Sequence, residues 1–97
     1  MWIGWLELDL LLGDVHSLKE KRAIVRPIVA ELQRRFAVSA GEVDTQDLHR
    51  RATVGAAVVA AERRHVVEVL DAVERLVAGR PEADLLSARR GLQTSDD

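Results

Sequence analysis

The sequence contains no cysteine and no tyrosine, and its 97 residues include only one phenylalanine, two tryptophans and two prolines. The lack of cysteine excludes disulfide bonds and thiolate metal sites, and it fits a reducing, cytoplasmic setting. The N-terminal segment has no basic stretch, and Glu7 and Asp9 interrupt its apolar run. We therefore expect neither a signal peptide nor a membrane-spanning segment there.

Positive charge is also scarce, since 14 basic residues stand against 16 acidic ones and the net charge is −2. Proteins that bind nucleic acid through overall charge are usually basic, so the composition argues against such a protein but allows a local basic patch. With 47% hydrophobic and 31% charged residues, the chain has an ordinary globular composition. We expect a single domain over residues 1–92 and a polar C-terminal tail over 93–97.

The segment 17–36 gives the clearest helix signal. Ser17 and Glu20 have the spacing of a capping box, which predicts that the helix begins at Leu18. Pro27 either kinks one helix over 18–36 or ends one helix and starts another. The apolar face keeps its phase across Pro27, which favours the kinked single helix. The residues of that face are Leu18, Val25, Ile28, Val29, Leu32 and Phe36.

Alternating side chains predict a strand from Trp2 to Leu12, with one apolar face and one mixed face. The mixed face carries Ile3, Trp5, Glu7, Asp9 and Leu11. Further along, we predict strands over 37–43, the second half of 48–61 and 83–92, a polar turn over 44–47, and a second helix over 63–78. The end of the 48–61 segment is also compatible with a continuation into helix.

This β-α-β-β-α-β order predicts an α+β, ferredoxin-like domain. Both helices are amphipathic, so both can cover one face of a four-stranded antiparallel sheet. The expected strand order is 4-1-3-2, which places the strands from 2–12 and 48–61 in the middle.

The carboxylates Glu7 and Asp9 are the first candidates for chemistry, because their Cα atoms lie about 7 Å apart on one strand face. Such a pair can divide acid and base roles or hold a hard cation. No third ligand is apparent, and salt bridges to Arg89 or Arg90 are the structural alternative. The three histidines are too scattered for a metal motif, and no nucleophile elbow or glycine-rich phosphate loop is present. We predict a non-enzymatic protein without metal or cofactor.

A basic stripe is the first candidate contact surface. Lys19, Arg22 and Arg26 recur at helical spacing beside the apolar face. They form either a solvated helix flank or a contact for RNA phosphates. Aromatic residues are too few on the predicted central strands for recognition by base stacking, so RNA contact here would be directed at the backbone.

The mixed face of the first strand is the second candidate surface. Ile3, Trp5 and Leu11 are costly to leave in water, which predicts that this sheet face packs against a partner. A homodimer is the simplest partner, because a two-fold axis lets one patch match itself. The alternative function is a small-molecule sensor or regulatory homodimer with its ligand near Trp5, Glu7 and Asp9. An enzyme using the two carboxylates is the remaining alternative.

The sequence also resembles a known family. The N-terminal apolar strand, the run SLKEKR at 17–22, FAVS at 36–39, Glu42 and the segment 46–59 resemble the YlxP-like family of small bacterial proteins of unknown function. Ala37 and His49 depart from residues common there, which are Asn and Trp. The resemblance implies a ferredoxin-like fold, a bacterial cytoplasmic setting and genes near those for translation initiation and ribosome maturation. It implies no catalytic residues. It makes RNA or a ribosome-associated protein the expected partner of the basic stripe.

Overall fold

The computed structural model describes residues 1–44 and 48–96, and six elements follow one another within them. They are β1 (Trp2–Leu12), α1 (Leu18–Arg35), β2 (Ser39–Asp44), β3 (Arg51–Ala60), α2 (Arg63–Ala78) and β4 (Ala83–Thr94). The strands form one antiparallel sheet in the order β2-β3-β1-β4, which is the predicted order read from its other edge. The ferredoxin-like α+β fold is therefore confirmed.

The core lies between one face of this sheet and the two helices. Alternate residues of β1 point into it, and they meet the apolar stripes of both helices and the inner side of β3. Burial of each large aliphatic side chain contributes about 1.5–3 kcal/mol. The buried side chains are Leu6, Leu8, Leu10 and Leu12 from β1, Val54 and Val58 from β3, Val25, Ile28 and Leu32 from α1, and Val66, Leu70, Val73 and Val77 from α2.

The start of α1 is capped largely as predicted. The Ser17 hydroxyl accepts a hydrogen bond from the Glu20 N–H at 3.1 Å. The reciprocal bond differs from the prediction, because the Glu20 carboxylate accepts from the N–H of His16 at 2.9 Å and not from that of Ser17. The capping interaction therefore extends one residue further towards β1.

Pro27 lies inside one continuous helix, which confirms the single-helix interpretation and rejects the restart. Proline cannot donate to the carbonyl four residues earlier, which here belongs to Ala23. Both Ala23 and Pro27 are exposed. Water can therefore solvate the carbonyl that loses its partner, and the proline ring stays out of the core.

Three strand boundaries differ from the predictions. β2 begins at Ser39, because Phe36 caps α1 and the Val38 N–H bonds the Phe36 carbonyl in a turn. β3 begins at Arg51 and remains a strand through Ala60, so the helical alternative for its end is wrong. β4 continues past the predicted end of the last strand at 92, since Gln93 and Thr94 pair with the first residues of β1. The predicted turn over 44–47 falls largely on 45–47, which are outside the described residues.

Within residues 1–44 and 48–96, no helix covers the second face of the sheet. The surfaces available to partners are therefore this open sheet face and the outward side of the helix layer.

Neither helix of the described chain has the length and apolarity that a membrane span requires.

The close approach of α2 to β1 at Gly4 gives a first prediction. A Cβ at Gly4 would lie 2.3 Å from Val66 Cγ1 and 3.0 Å from Leu70 Cδ1. Replacing Gly4 with Ala should therefore overpack the core and lower the free energy of unfolding by about 1–3 kcal/mol. Urea unfolding followed by circular dichroism measures this change.

The control is Gly13→Ala, because no heavy atom lies within 4 Å of a Cβ at that position. We expect this variant to unfold within about 0.5 kcal/mol of the parent. Equal stability of the Gly4 and Gly13 variants would contradict the close packing of α2 on β1.

Candidate functional site

The basic stripe lies on the outward side of α1. Lys19, Arg22 and Arg26 are all exposed, and together with Ala23 and Pro27 they line an open groove of about 390 Å³. None of the three basic side chains forms an ion pair with any residue in the described ranges. Their charges therefore face water without compensation.

Many of the other arginines are engaged within the molecule. Five of them form ion pairs with carboxylates on neighbouring elements or on the next helical turn, and these are Arg35, Arg64, Arg80, Arg89 and Arg90. A sixth, Arg50, donates from Nε to the Gly13 carbonyl at 3.1 Å. Arg34, Arg63 and Arg75 are also exposed without an ion pair to any described residue, so the stripe is distinguished by having three such cations along one groove of one helix.

Lys21 belongs to the same basic run but has a different role. Its side chain is only 1% exposed, and Nζ lies 2.7 Å from Glu42 Oε2 and 2.7 Å from the Leu48 carbonyl oxygen. A buried ammonium group is tolerated only where such partners replace its water. Lys21 therefore ties α1 to β2 and to the segment that leads into β3.

Sequence reasoning missed this residue, although a signal was present. Lys21 precedes Val25, Ile28 and Leu32 by four, seven and eleven residues, so it falls on the buried stripe of α1. A lysine at a core position predicts a buried partner. The partner itself could not be identified, because Glu42 is 21 residues away in the sequence and only the fold brings it near.

On the open sheet face, Asp9 is held by two hydroxyl groups. Thr53 Oγ1 donates to one carboxylate oxygen at 2.9 Å, and Ser87 Oγ donates to the other at 2.6 Å. These bonds, led by that from Ser87, outweigh the opposing effect of burial and lower the pKa of Asp9 from its ordinary value of 3.8. Arg89 and Arg51 add a smaller electrostatic stabilisation of the charge.

The neighbouring carboxylate Glu7 accepts from Arg89 at 3.0 Å, so the predicted salt bridge to Arg89 is correct for this residue. Arg90 points to the other side of the sheet and bonds Asp71 and Glu74 of α2 at 2.8 and 3.1 Å. Burial by itself disfavours the charge of Arg90, but these bonds outweigh it and raise its pKa. The two adjacent arginines thus serve opposite faces of β4.

Glu7 and Asp9 therefore have separate partners and do not share one site. Within residues 1–44 and 48–96, no group of three or more histidine and carboxylate side chains is placed to hold a metal ion. His16 lies 2.8 Å from Asp14 in an exposed loop, while His49 and His65 are exposed elsewhere. Glu7 and Asp9 are therefore not arranged as an acid–base pair with each other.

The same face contains an open groove of about 560 Å³ with Trp5 and Val43 on its two sides. Its floor is made of small residues, namely Gly41, Gly55 and Ala57. The Trp5 indole lies against Gly91, since a Cβ there would be 2.4 Å from Nε1, and Val43 covers Gly55 in the same way. Trp5 nevertheless remains 38% exposed.

Of the other two face residues predicted for partner contact, Ile3 and Leu11 are half-buried. Val59, which pairs with Ile3 from β3, is 61% exposed and was missed by the sequence analysis. Strand alternation could have found it, because Val59 follows Ala57 on the outer side of β3. The apolar end of the face is therefore larger than the sequence suggested.

The fold and these surfaces define a small ferredoxin-like protein with one open sheet face and one uncompensated basic helix surface. The family model described as "Protein of unknown function (DUF503)" matches residues 3–90, and the chain belongs to that family. It is also similar to "Uncharacterized protein YlxP" of Bacillus subtilis (strain 168), with 34% identity over 82 residues that cover 84% of this chain and 89% of the relative. The resemblance to the YlxP-like family is thus confirmed.

The contacts of Lys21 predict a large effect on stability. Lys21→Ala should lower the free energy of unfolding by about 2–4 kcal/mol, because it removes the buried ammonium group that binds the Glu42 carboxylate and the Leu48 carbonyl. Lys21→Met should cost less, since its longer side chain refills most of the space. Lys19→Ala, at an exposed position of the same helix, should stay within about 0.5 kcal/mol of the parent. Urea midpoints that fail to follow this order would contradict the anchoring role.

The lowered pKa of Asp9 predicts a specific dependence of stability on pH. Its pKa in the folded protein lies below 3.8, so its contribution is complete above the unfolded pKa and is lost as the pH falls through the folded pKa. Asp9→Asn should therefore destabilise the protein at neutral pH, and its deficit should shrink as the pH falls below 3.8. Thermal unfolding at a series of pH values measures this deficit.

The matched control is Asp84→Asn, which changes an exposed carboxylate on β4 that has no hydrogen bond or ion pair within the described ranges. Its stability relative to the parent should vary little over the same pH series. A deficit of the Asp9 variant that is independent of pH would contradict the stabilised carboxylate.

Proposed function

We propose that the chain is a non-enzymatic interaction domain that contacts RNA through the basic stripe. The single observation that carries this proposal is that Lys19, Arg22 and Arg26 line one groove with no ion pair to any described residue. Exposed cations without intramolecular partners retain their attraction for phosphate. The gene context implied by the YlxP-like resemblance, near genes of translation initiation and ribosome maturation, supports RNA as the anion.

The shape of the stripe supports contact with more than one phosphate. Lys19 and Arg26 are seven residues apart, which corresponds to about 10 Å along a helix axis. Arg22 lies between them on the same side of α1. Three cations spread over this distance fit a stretch of nucleic-acid backbone better than a single small anion.

The chemistry of the groove supports binding that is independent of base sequence. It is lined by two guanidinium groups, one ammonium group and the small apolar residues Ala23 and Pro27, and it contains no aromatic ring for stacking. The exposed Trp5 lies on the opposite layer of the molecule. The proposed contact is therefore with phosphates, which determine affinity and not sequence preference.

Charge reversal tests this function. The triple variant Lys19→Glu, Arg22→Glu and Arg26→Glu should abolish binding of a labelled single-stranded RNA at low salt and reduce co-sedimentation with ribosomes. For the parent, log K should fall with log salt concentration at a slope of about −2, because each of three phosphate contacts on a single strand contributes about −0.7. Fluorescence anisotropy over a salt series gives both quantities.

The control triple is Arg63→Glu, Arg64→Glu and Arg75→Glu, which makes the same change in net charge at exposed positions of α2. It should retain RNA binding. Equal losses of RNA binding in the two triple variants would show a general effect of net charge. If the parent does not bind RNA but co-sediments with ribosomes, its contact is with a ribosomal protein. Absence of any association in the parent would reject the proposal.

We further propose that the chain self-associates as a homodimer through the open sheet face. The supporting observation is the distribution of exposed apolar side chains. Trp5, Val43 and Val59 are exposed on the sheet, whereas neither helix, both of which are wholly described, exposes a large hydrophobic residue. A small ligand in the 560 Å³ groove is the competing use of this face. It is less favoured, because Glu7 and Asp9 are already bound to Arg89, Ser87 and Thr53.

A further inference from the structure

The two edges of the sheet differ in length and regularity. β2 forms one edge with six residues and a bulge between Glu42 and Asp44. β4 forms the other edge with twelve residues, and its bulge is confined to one end, at Leu86. Over 87–94 the register with β1 is uninterrupted, and this stretch contains neither of the residues, lysine and proline, with which proteins commonly block a strand edge. Within the described ranges, β4 pairs with β1 only.

Alternate residues of β4 direct their backbone groups towards this edge. The Ser95 N–H donates to the Met1 carbonyl, so these two residues are a hydrogen-bonded pair between the two chain ends. Such pairs alternate along an antiparallel ladder, so the register makes Gln93, Gly91 and Arg89 the next residues that bond to β1. The backbone groups of the intervening residues point away from β1, and these residues are Ala88, Arg90, Leu92 and Thr94.

We propose that two copies pair through this edge, with their β4 strands antiparallel and the two-fold axis between the two Gly91 residues. Gly91 is the midpoint of 88–94. This register therefore places Ala88 opposite Thr94 of the other copy and Arg90 opposite Leu92. Both members of each pair direct their backbone groups outward, so they can bond across the junction. The two four-stranded sheets then become one continuous sheet.

Charge favours this register over its neighbours. A shift of the axis by one residue towards the bulge would place Arg90 opposite Arg90, and a shift by two would place Arg89 opposite Arg89. Like charges directly opposite each other are destabilising. In the proposed register Arg89 lies opposite Gln93 and Arg90 opposite Leu92, and the ion pairs of both arginines within each copy are kept. A shift in the other direction avoids the repulsion but brings residues beyond the end of β4 into the junction.

The position of Trp5 places an aromatic side chain at the same junction. A Cβ at Gly91 would lie 2.4 Å from the Trp5 Nε1, so the indole lies over the edge strand β4. The two Gly91 residues would form a non-hydrogen-bonded pair, whose Cα atoms are about 4.5 Å apart. The two indoles would then pack against each other over a glycine pair that has no side chains of its own. This contact buries aromatic surface that a single copy leaves exposed.

This inference goes beyond the RNA contact and the open-face dimer and depends on neither. Its two-fold axis is perpendicular to the sheet, so the helix layers of both copies lie on one side of the joined sheet. The open faces of both copies lie on the other side and remain available. Association through those faces as well would give an assembly of four chains.

Ala88→Pro tests the edge contact. Ala88 is exposed, and its N–H points away from β1, so proline removes a donor from the junction and none from the β1–β4 ladder. Ala88→Pro should therefore halve the mass that light scattering after size exclusion gives for the parent at micromolar concentration. The control Ala88→Val keeps the N–H at the same position and should leave the mass unchanged. Circular dichroism checks that both variants are folded.

Disulfide formation tests the register, because the chain has no native cysteine. Arg89 and Gln93 are both exposed, and the proposed register places them opposite each other. A mixture of Arg89→Cys and Gln93→Cys chains should be joined on oxidation by oxidised glutathione, because opposite residues have Cα atoms within disulfide range. Neither variant should be joined by itself, since its two thiols would lie about 13 Å apart along the strands. The same mixture carrying Ala88→Pro should not be joined.

The outcomes separate this inference from the earlier proposals. A monomeric parent would overturn both the edge pairing and the open-face dimer, while RNA binding by the basic stripe would be unaffected. An assembly that Ala88→Pro does not change, and whose cysteine mixture is not joined, would overturn the edge pairing alone. A halved mass without joining of the mixture would overturn the register at Gly91. Joining of the mixture, but of neither cysteine variant by itself, would support the inference even where Ala88→Pro fails to fold.

Discussion

The covering of only one face of the sheet by the two helices is the constraint on which the rest of the structure depends. It follows from the alternation in β1, where Leu6, Leu8 and Leu10 point one way and Glu7 and Asp9 the other. A strand with such a pattern can bury one face only, since ionised carboxylates on the second face need water or hydrogen-bond donors. Both helices must therefore lie on the leucine side. The molecule is left with an open sheet face and an outward helix layer.

This arrangement places a particular demand on α1, which approaches the edge strand β2. Beside this edge strand, α1 has less apolar sheet surface to pack on than a helix over the central strands. Lys21 suits such a position, because its methylene groups extend the buried stripe of α1 while its Nζ binds Glu42 and the Leu48 carbonyl. The same bonds fix the segment that precedes β3. One side chain thus completes the helix–sheet contact and positions the next strand.

Much of the fold could be predicted because its signals are local. The capping box at Ser17, the period of α1 and the alternation in β1 depend on residues a few positions apart. The end of β4 could not be predicted in this way, because Gln93 and Thr94 have no apolar pattern and are strand residues only through their pairing with β1. The Lys21–Glu42 and Asp9–Ser87 contacts were missed for the same reason. Each joins residues that only the completed sheet brings together.

The two candidate surfaces were predictable to different degrees. The basic stripe follows from helical spacing alone, and the structure adds that its cations have no ion pairs within the described ranges, whereas Arg89 and Arg90 do. Composition could not separate the cations of the stripe from Arg89 and Arg90, since all of these side chains are equally basic. On the sheet face, alternation identified Trp5 on β1 but not the small floor beside it. Gly41 and Gly55 carry no hydrophobic signal, and their role depends on cross-strand register.

The separation of these surfaces onto opposite layers has a functional consequence. Packing of two copies through their sheets would leave both helix layers outermost, so the two basic stripes would face in opposite directions. Such a dimer could not place both stripes on one short stretch of RNA, but it could hold two segments of a folded RNA at once. Linked contacts of this kind raise overall affinity only when both segments are within reach. Self-association would then select a folded RNA by its shape, although each stripe by itself contacts only phosphates.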